Sequence, residues 1–223
     1  MSLHLQRDLN QLQRDLVALA SLVEDTLRKA IQALVRQDSQ LARQVMIADL
    51  QIDEEEVQID EECLKILALH QPVAIDLRRI VSAMMVNGDL ERIGDLTDEI
   101  AKRCLHLCSC KGVRVPAGLE EMAELVIRMV GTSLDAFVNR DARLAREVIT
   151  QDERVDQYNN EIIETLIRWM QQNPESVPMA LSLFSAVRHL ERIGDHATNI
   201  AEDVVFLVEG EMQRHRMHYH RQD

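Results

Sequence analysis

Pairs of acidic side chains spaced four residues apart are the feature of this sequence with the clearest chemical potential. Asp49 and Asp53 form one such pair, and Glu91 and Asp95 form another. On a helix, residues four apart lie on the same face, so each pair points both carboxylates in one direction. If two such pairs faced each other, each contact of about 4 Å would cost about 4 kcal/mol near a protein surface. A cation between them would relieve that repulsion.

The same acidic pairs recur about one hundred residues further along the chain. The segment Leu90–Asp95 reads LERIGD and returns unchanged as Leu190–Asp195, 100 residues later, while the pattern DxxLARxV begins at Asp38 and again at Asp141. The chain is therefore a duplicated unit. The candidate ligands, with the polar residues that continue each face, are Asp49, Asp53, Glu91, Asp95, Asp98 and Glu99 in the first repeat and Asp152, Asp156, Glu191, Asp195, Asn199 and Glu202 in the second.

Carboxylate and amide oxygens suit hard cations such as Mg²⁺, Ca²⁺, Mn²⁺ or iron, whereas zinc would favour Cys or His. A single acidic pair more often lines a solvated helix face, but the presence of acidic pairs at equivalent positions of both repeats favours a metal site. Each Glu-x-x-x-Asp pair also encloses a glycine, Gly94 or Gly194. Because glycine inside a helix costs about 1 kcal/mol relative to alanine, its presence predicts a close backbone approach or a crowded site. Arg92 should point about 100° away from the acids, towards surface ion pairs or a partner.

Composition indicates helices packed by aliphatic side chains, since 46 % of the residues are apolar and only 3 % are aromatic. The formal net charge of -13 argues against a general binder of nucleic acid or anionic membranes. No apolar run approaches the roughly 20 residues needed to cross a bilayer, so we expect no membrane insertion. Arg7 and Asp8 lie too early for a secretory signal, and we expect a cytoplasmic protein.

Three helices are predicted in each repeat. Apolar residues recur in steps of three and four from Leu5 to Leu34, Asp38 is an expected N-cap, and Pro72 ends the second helix. The first repeat spans residues 1–111, the second spans residues 116–210, and residues 211–223 are expected to form a flexible tail. The predicted helices run from about 5 to 34, 39 to 69, 73 to 107, 117 to 139, 142 to 172 and 177 to 208, with Asp141 as a second cap.

The repeated LERIGD segment, followed in the second copy by His196, Asn199 and Glu202, resembles the signature of the PhoU family, the phosphate-transport accessory proteins of bacteria. The resemblance covers essentially the whole chain. It implies an all-α fold of two tandem three-helix bundles related by pseudo-two-fold symmetry. It also implies that the acidic motifs bind metal clusters, with iron first and Mn, Mg, Ca or Zn otherwise. Because Lys102 stands where the family usually has Glu, we expect the second repeat to hold the more complete site.

The resemblance further implies a negative regulator of phosphate uptake and of the phosphate-starvation response. It also implies a homodimer that links the ATPase subunit of the Pst phosphate ABC transporter to a PhoR-type sensor histidine kinase. They are not enzymes. Two alternatives stay open. One is a purely structural helical adaptor without metal, and the other is a carboxylate di-metal enzyme, although that class needs Glu-x-x-His pairs and this sequence has none.

Overall fold

The computed structural model describes residues 3–110 and 112–210, and helices account for most of these residues. The expected flexible tail, residues 211–223, lies outside the described residues. Within the described residues there are seven α-helices and one 3₁₀ turn, Pro174–Ser176. The helices are α1 (Leu3–Arg36), α2 (Ser39–His70), α3 (Ala74–Cys108), α4 (Leu119–Asn139), α5 (Ala142–Ile149), α6 (Asp152–Gln172) and α7 (Val177–Glu209).

The all-α prediction is confirmed, and the helices form two three-helix bundles related by a pseudo-two-fold axis. The first bundle contains α1, α2 and α3, and the second contains α4, the α5–α6 arm and α7. The bundles join along α3 and α7, with α1 also touching α4. One continuous hydrophobic core results, in which Leu90 and Ile93 of α3 and Leu190 and Ile193 of α7 are fully buried. The two copies of the LERIGD segment therefore lie on the helices that join the repeats.

Apolar periodicity and helix capping explain the boundaries. The predicted apolar row of α1 is buried from Leu5 to Leu34, and each fully buried leucine contributes roughly 1.5–3 kcal/mol. The Asp38 carboxylate accepts hydrogen bonds from the backbone N–H groups of Gln40 and Leu41, at 2.9 and 3.0 Å. Asp141 does the same for the helix that follows it. Both predicted caps are confirmed, and such a cap contributes about 1 kcal/mol.

The prediction of one helix over residues 142–172 is wrong, because α5 ends at Ile149 and α6 begins at Asp152. At the break, the Thr150 hydroxyl donates to the carbonyl of Glu147, and the Gln151 N–H donates to the carbonyl three residues back. A threonine side chain that takes a main-chain carbonyl competes with regular helical bonding. The first repeat has Ile47 at the equivalent position, and α2 is continuous there.

None of the helices in the described part of the chain combines the length and the hydrophobicity that a membrane-spanning helix requires.

Candidate metal centre

A close approach of α2 to α3 brings the acids of the first repeat together. Asp49 and Asp53 lie on α2, and Asp95 lies on α3 beside Gly94. A Cβ atom at residue 94 would lie 3.2 Å from Asp49 Oδ1 and 3.1 Å from Cγ2 of Ile52. A side chain larger than hydrogen would therefore require the side chains of Asp49 and Ile52 to shift. Of the two readings, a crowded site is confirmed at this glycine, because the neighbouring atoms belong to side chains.

Three carboxylates meet at this point. One oxygen from each of Asp49, Asp53 and Asp95 lies within 4.8 Å of the other two. In residues 3–110 and 112–210, no other three acidic, histidine or cysteine side chains converge in this way. Glu91, one turn before Asp95, lies close enough for desolvation and the charge of Asp95 to raise its pKa. We call Asp49, Asp53, Asp95 and Glu91 the first acidic cluster.

Asp49 is the most perturbed member of the first acidic cluster. Its Oδ1 atom is buried and accepts no hydrogen bond from any described residue. Burial raises the pKa of Asp49 to about 6, and the negative charges of Asp98, Asp53 and Asp95 add to the shift. A buried carboxylate oxygen without a partner is costly, and nearby negative charge adds to the cost. A bound cation would remove both penalties.

Arg92 does not point away from the acids, so that prediction is wrong. Its guanidinium donates to Asp95 at 2.9 Å and lies 3.3 Å from Glu91. The helical wheel gives the direction of Cβ, but the long arginine side chain bends back across one turn of helix. Because the Arg92 side chain is 60 % exposed, this ion pair contributes at most about 1 kcal/mol.

Lys102 lies at the edge of the first acidic cluster, as expected, and it binds two of the candidate ligands. Its ammonium is 2.7 Å from Asp98 and 2.6 Å from Glu99. The hydrogen bond from Lys102 is the main cause of a lowered pKa at Glu99, with Arg103 adding a second contact at 3.2 Å. Asp98 and Glu99 are thus held by cations of the protein, whereas Asp49 is not.

The second repeat brings its acids together less tightly, against the expectation of a more complete site there, since no three of its described acidic side chains converge within 4.8 Å. A Cβ atom at Gly194 would meet Val155 at 3.4 Å, which is ordinary van der Waals contact. Desolvation raises the pKa of Asp195 to about 6, although its side chain is partly open to solvent, and the charges of Glu191, Asp152 and Asp156 add to the shift. We call Asp152, Asp156, Glu191 and Asp195 the second acidic cluster.

Glu191 resembles Asp49 in having one unsatisfied oxygen. Its Oε1 atom accepts a hydrogen bond from Arg188 at 2.9 Å, while Oε2 is buried and accepts none from the described residues. Desolvation is the main cause of its raised pKa. One member of each acidic cluster therefore has an oxygen that is buried and accepts no hydrogen bond from the described residues: Asp49 in the first cluster and Glu191 in the second.

Asn199 makes a contact that the sequence did not predict. Its amide donates to Asp89 Oδ1 at 3.3 Å, and the His196 ring lies 2.8 Å from the same oxygen. These bonds join α7 to α3 across the boundary between the repeats. No spacing rule relates Asp89 to His196, which is 107 residues away. Glu202, the last candidate ligand, is half-buried on α7.

The donor set of the two clusters fits a hard cation. All four members of each cluster offer carboxylate oxygens, which suit iron, Mn²⁺, Mg²⁺ and Ca²⁺. The cysteines that would favour zinc lie elsewhere: Cys63 and Cys104 are buried, and the Cys108 thiol donates to the Gln37 carbonyl. The unpartnered oxygens of Asp49 and Glu191 are the atoms that a cation would satisfy.

The PhoU domain family model matches residues 16–104 and again residues 119–204. The chain belongs to the PhoU family. A PhoU homologue of Pseudomonas putida, named a phosphate-specific transport system accessory protein, is 43 % identical over 211 residues, which cover 93 % of this chain and 82 % of that protein. The accessory protein PhoU of Escherichia coli K12 is 34 % identical over 93 % of this chain and 86 % of its own length.

Solved PhoU structures share the fold. The crystal structure of PhoU from Pseudomonas aeruginosa aligns with a TM-score of 0.88 at 41 % identity and covers 92 % of this chain and 99 % of that one. The phosphate transport system regulatory protein PhoU from Streptococcus pneumoniae gives a TM-score of 0.88 at 32 % identity, with 93 % and 98 % coverage. The names of these PhoU proteins describe accessory or regulatory roles in phosphate transport, and none names an enzyme.

Proposed function

We propose that this chain is a cytoplasmic negative regulator of phosphate uptake and of the phosphate-starvation response. It would act as an adaptor that binds the ATPase subunit of a Pst-type phosphate ABC transporter and a PhoR-type sensor histidine kinase, and so couples the activity of the transporter to that of the kinase. Support comes from membership of the PhoU family and from relatives named as accessory or regulatory proteins of phosphate transport. The proposed active form is a homodimer without catalytic activity.

We also propose that the two acidic clusters bind metal. The observation that carries this proposal is the buried, unpartnered Oδ1 atom of Asp49 between two further carboxylates. In the first repeat Asp49, Asp53, Asp95 and Glu91 would hold the ion, and Asp98 and Glu99 would join only if Lys102 moved. In the second repeat the ligands would be Asp152, Asp156, Glu191 and Asp195, with the Asn199 oxygen and Glu202 at the edge. Iron is the first choice by family, followed by Mn, Mg, Ca or Zn.

A bound ion would supply positive charge that ties one helix to the next. In the first repeat it would join α2 to α3, and in the second it would join α6 to α7. Because α3 and α7 pack along each other, both clusters border the same central pair of helices. The residues of the chain itself set the geometry, since Gly94 allows the close approach and Arg92 limits the net negative charge.

A metal-free structural adaptor is the second candidate, and specific ion pairs favour it. Arg92 binds Asp95, and Lys102 binds Asp98 and Glu99. The protein thus neutralises part of the first acidic cluster with its own cations. In this alternative, the helix surfaces alone would carry regulation, and the acidic clusters would affect only stability.

The regulatory proposal is tested in a host that lacks its own PhoU and carries a reporter of the phosphate-starvation response. With ample phosphate, the wild-type chain should repress the reporter. The E191A/D195A and D49A/D53A variants should lose repression while keeping their helicity, and E161A/E164A, which removes two exposed acids of α6, should repress normally. Failure of the wild-type chain to repress would contradict the regulatory role. Full repression by both cluster variants would favour the metal-free adaptor.

A further inference from the structure

The side of α2 that faces solvent carries a row of apolar side chains. Leu50, Val57 and Leu64 follow one another at intervals of seven residues and are 64, 52 and 58 % exposed. Ile47, one turn before Leu50, is also exposed. The core face of this helix, which includes Ile52 and Ile59, lies on the opposite side. We call the row, with the two glutamates inside it, the α2 outer face: Ile47, Leu50, Glu54, Val57, Glu61 and Leu64.

The second repeat shows that the fold does not require this row. Core positions of α2 stay apolar in α6, as Ile52 corresponds to the buried Val155 at the offset of 103 residues. On the outer face, only Leu64 has an apolar counterpart, Ile167. Apolar exposure at several successive heptad positions of α2 is thus a local property of the first repeat. The counterparts of Ile47, Leu50 and Val57 are the polar residues Thr150, Glu153 and Asn160.

Negative charge surrounds the apolar row. From Asp49 to Glu62 the sequence contains eight acidic residues and no lysine or arginine. Glu54 and Glu61 lie within the row, and neither forms an ion pair within the residues that the structure describes. Burial and the charges of neighbouring acids raise the pKa of Glu56 on the same helix. An occupant of this face must therefore bring positive charge.

The geometry and charge together define the occupant. Apolar residues at intervals of seven along one helix match a second helix laid beside it, which would contact them through its own a and d positions. The span from Ile47 to Leu64 is about 26 Å at 1.5 Å per residue. A second copy of this chain would place the same acids opposite one another, which is unfavourable. A basic helix would instead complement them.

We propose that the α2 outer face is the docking surface for a basic amphipathic helix of a partner protein. The proposal rests on the adaptor role in requiring a protein partner, but it does not depend on bound metal. The apolar row supplies the contact area, and Glu54 and Glu61 select for lysine or arginine on the flanks of the incoming helix. The second repeat, which lacks the row, does not offer an equivalent surface.

The test uses a fluorescent synthetic peptide of about 18 residues, long enough to cover the face, with leucine at its a and d positions and lysine or arginine at e and g. Fluorescence anisotropy at physiological salt measures its binding to the full chain. The L50Q/V57Q/L64Q variant should bind at least about tenfold more weakly. The matched control I167Q/L181Q/V208Q, which changes three other exposed apolar residues, should bind like the wild type.

Two further arms separate docking from simple charge attraction. A peptide of identical composition with a scrambled apolar pattern should bind the wild-type chain at least about tenfold more weakly than the patterned peptide. The E54K/E61K variant should lose the basic peptide and gain binding to an otherwise identical peptide with glutamate at e and g.

The proposal is overturned if the patterned peptide does not bind, or if L50Q/V57Q/L64Q binds it as well as the wild type does. It is also overturned if sedimentation shows self-association that this variant abolishes, because a second copy would then be the occupant. Tighter peptide binding after removal of residues 211–223, which contain Arg214, Arg216 and Arg221, would make that segment the occupant instead. Circular dichroism confirms that each variant is folded.

Failure of this proposal can be distinguished from failure of the proposed function. E191A/D195A should bind the peptide normally even though the metal of its second acidic cluster and its repression are expected to be lost. Conversely, L50Q/V57Q/L64Q should retain metal. If a variant that does not bind the peptide still represses normally, the α2 outer face is not needed for regulation, and the proposed regulatory role is unaffected.

Discussion

Replacing Asp49 with asparagine should stabilise the metal-free protein and weaken its response to metal. In the folded chain the pKa of Asp49 is raised from 3.8 to about 6, mainly by burial and then by neighbouring acids. At neutral pH the folded state therefore holds an ionised group at a cost. Asparagine has nearly the same shape, carries no charge, and offers an amide donor to Asp53 or Asp95.

The size of the stabilisation expected for D49N follows from the pKa shift of Asp49. A difference of about two pKa units corresponds to about 3 kcal/mol. Because Asp49 is only partly buried, solvent screening should reduce the gain to about 1–2 kcal/mol. For a chain of this length that is an increase in Tm of roughly 2–8 °C. In contrast, metal at one hundred times its Kd should stabilise the wild type by about 2.7 kcal/mol.

The assay is thermal unfolding, followed by circular dichroism after chelation, with and without excess Mn²⁺. The D49N variant should melt above the wild type without metal and show a smaller increase when Mn²⁺ is added. The control E54Q, which removes an exposed charge from the same helix, should change the free energy of unfolding by no more than about 0.5 kcal/mol. A metal-free D49N variant less stable than the wild type would refute the electrostatic reasoning. If Mn²⁺ raises the Tm of D49N as much as that of the wild type, Asp49 is not a metal ligand.

Three further predictions concern glycine, the repeat boundary and pH. Gly94→Ala should lower the free energy of unfolding by about 1–3 kcal/mol through overpacking. Gly88→Ala should raise the free energy of unfolding by up to about 1 kcal/mol, because a Cβ atom there would have no neighbour within 4 Å. Urea titrations measure both changes. A double-mutant cycle on Asp89 and His196 should give a coupling energy of about 0.5–3 kcal/mol, and additivity would show that their contact is not formed. Because the pKa of Asp49 is raised above its unfolded value, its contribution to metal-free stability should increase as pH falls through about 6, and stabilisation by Mn²⁺ should fade over the same range. Melting curves with a constant Mn²⁺ effect from neutral to acidic pH would contradict the last prediction.

Local sequence signals were sufficient for most of the fold. The caps at Asp38 and Asp141 and the break at Pro72 depend on neighbouring residues only, which is why they could be located in advance. The exact repeat of LERIGD placed equivalent acids on equivalent helices. The break at Thr150 and Gln151 shows the limit of such reasoning, because main-chain bonds to the carbonyl three residues back interrupt a helix whose apolar pattern continues.

The sequence predicts which helix face carries the acidic side chains, but it does not predict all of their contacts. Spacing places Glu91 and Asp95 on one face of α3, but it does not determine that Arg92 bends back to them. The bond between Asn199 and Asp89 depends on how α3 packs against α7, which is a long-range property. Gly94 is more crowded than Gly194, since a Cβ atom would lie 3.1 Å from Ile52 at the first and 3.4 Å from Val155 at the second. This difference likewise depends on packing rather than on the motif that both repeats share.

Elemental analysis of untagged protein purified without chelators shows whether the acidic clusters bind metal. The wild type should contain a stoichiometric amount of iron or another hard cation. E191A/D195A should lose the part held by the second acidic cluster, and D49A/D53A the part held by the first, while both remain helical. A fully folded wild type that contains no metal, and takes up none when iron, Mn²⁺ or Mg²⁺ is added, would rule out both metal sites and favour the metal-free adaptor.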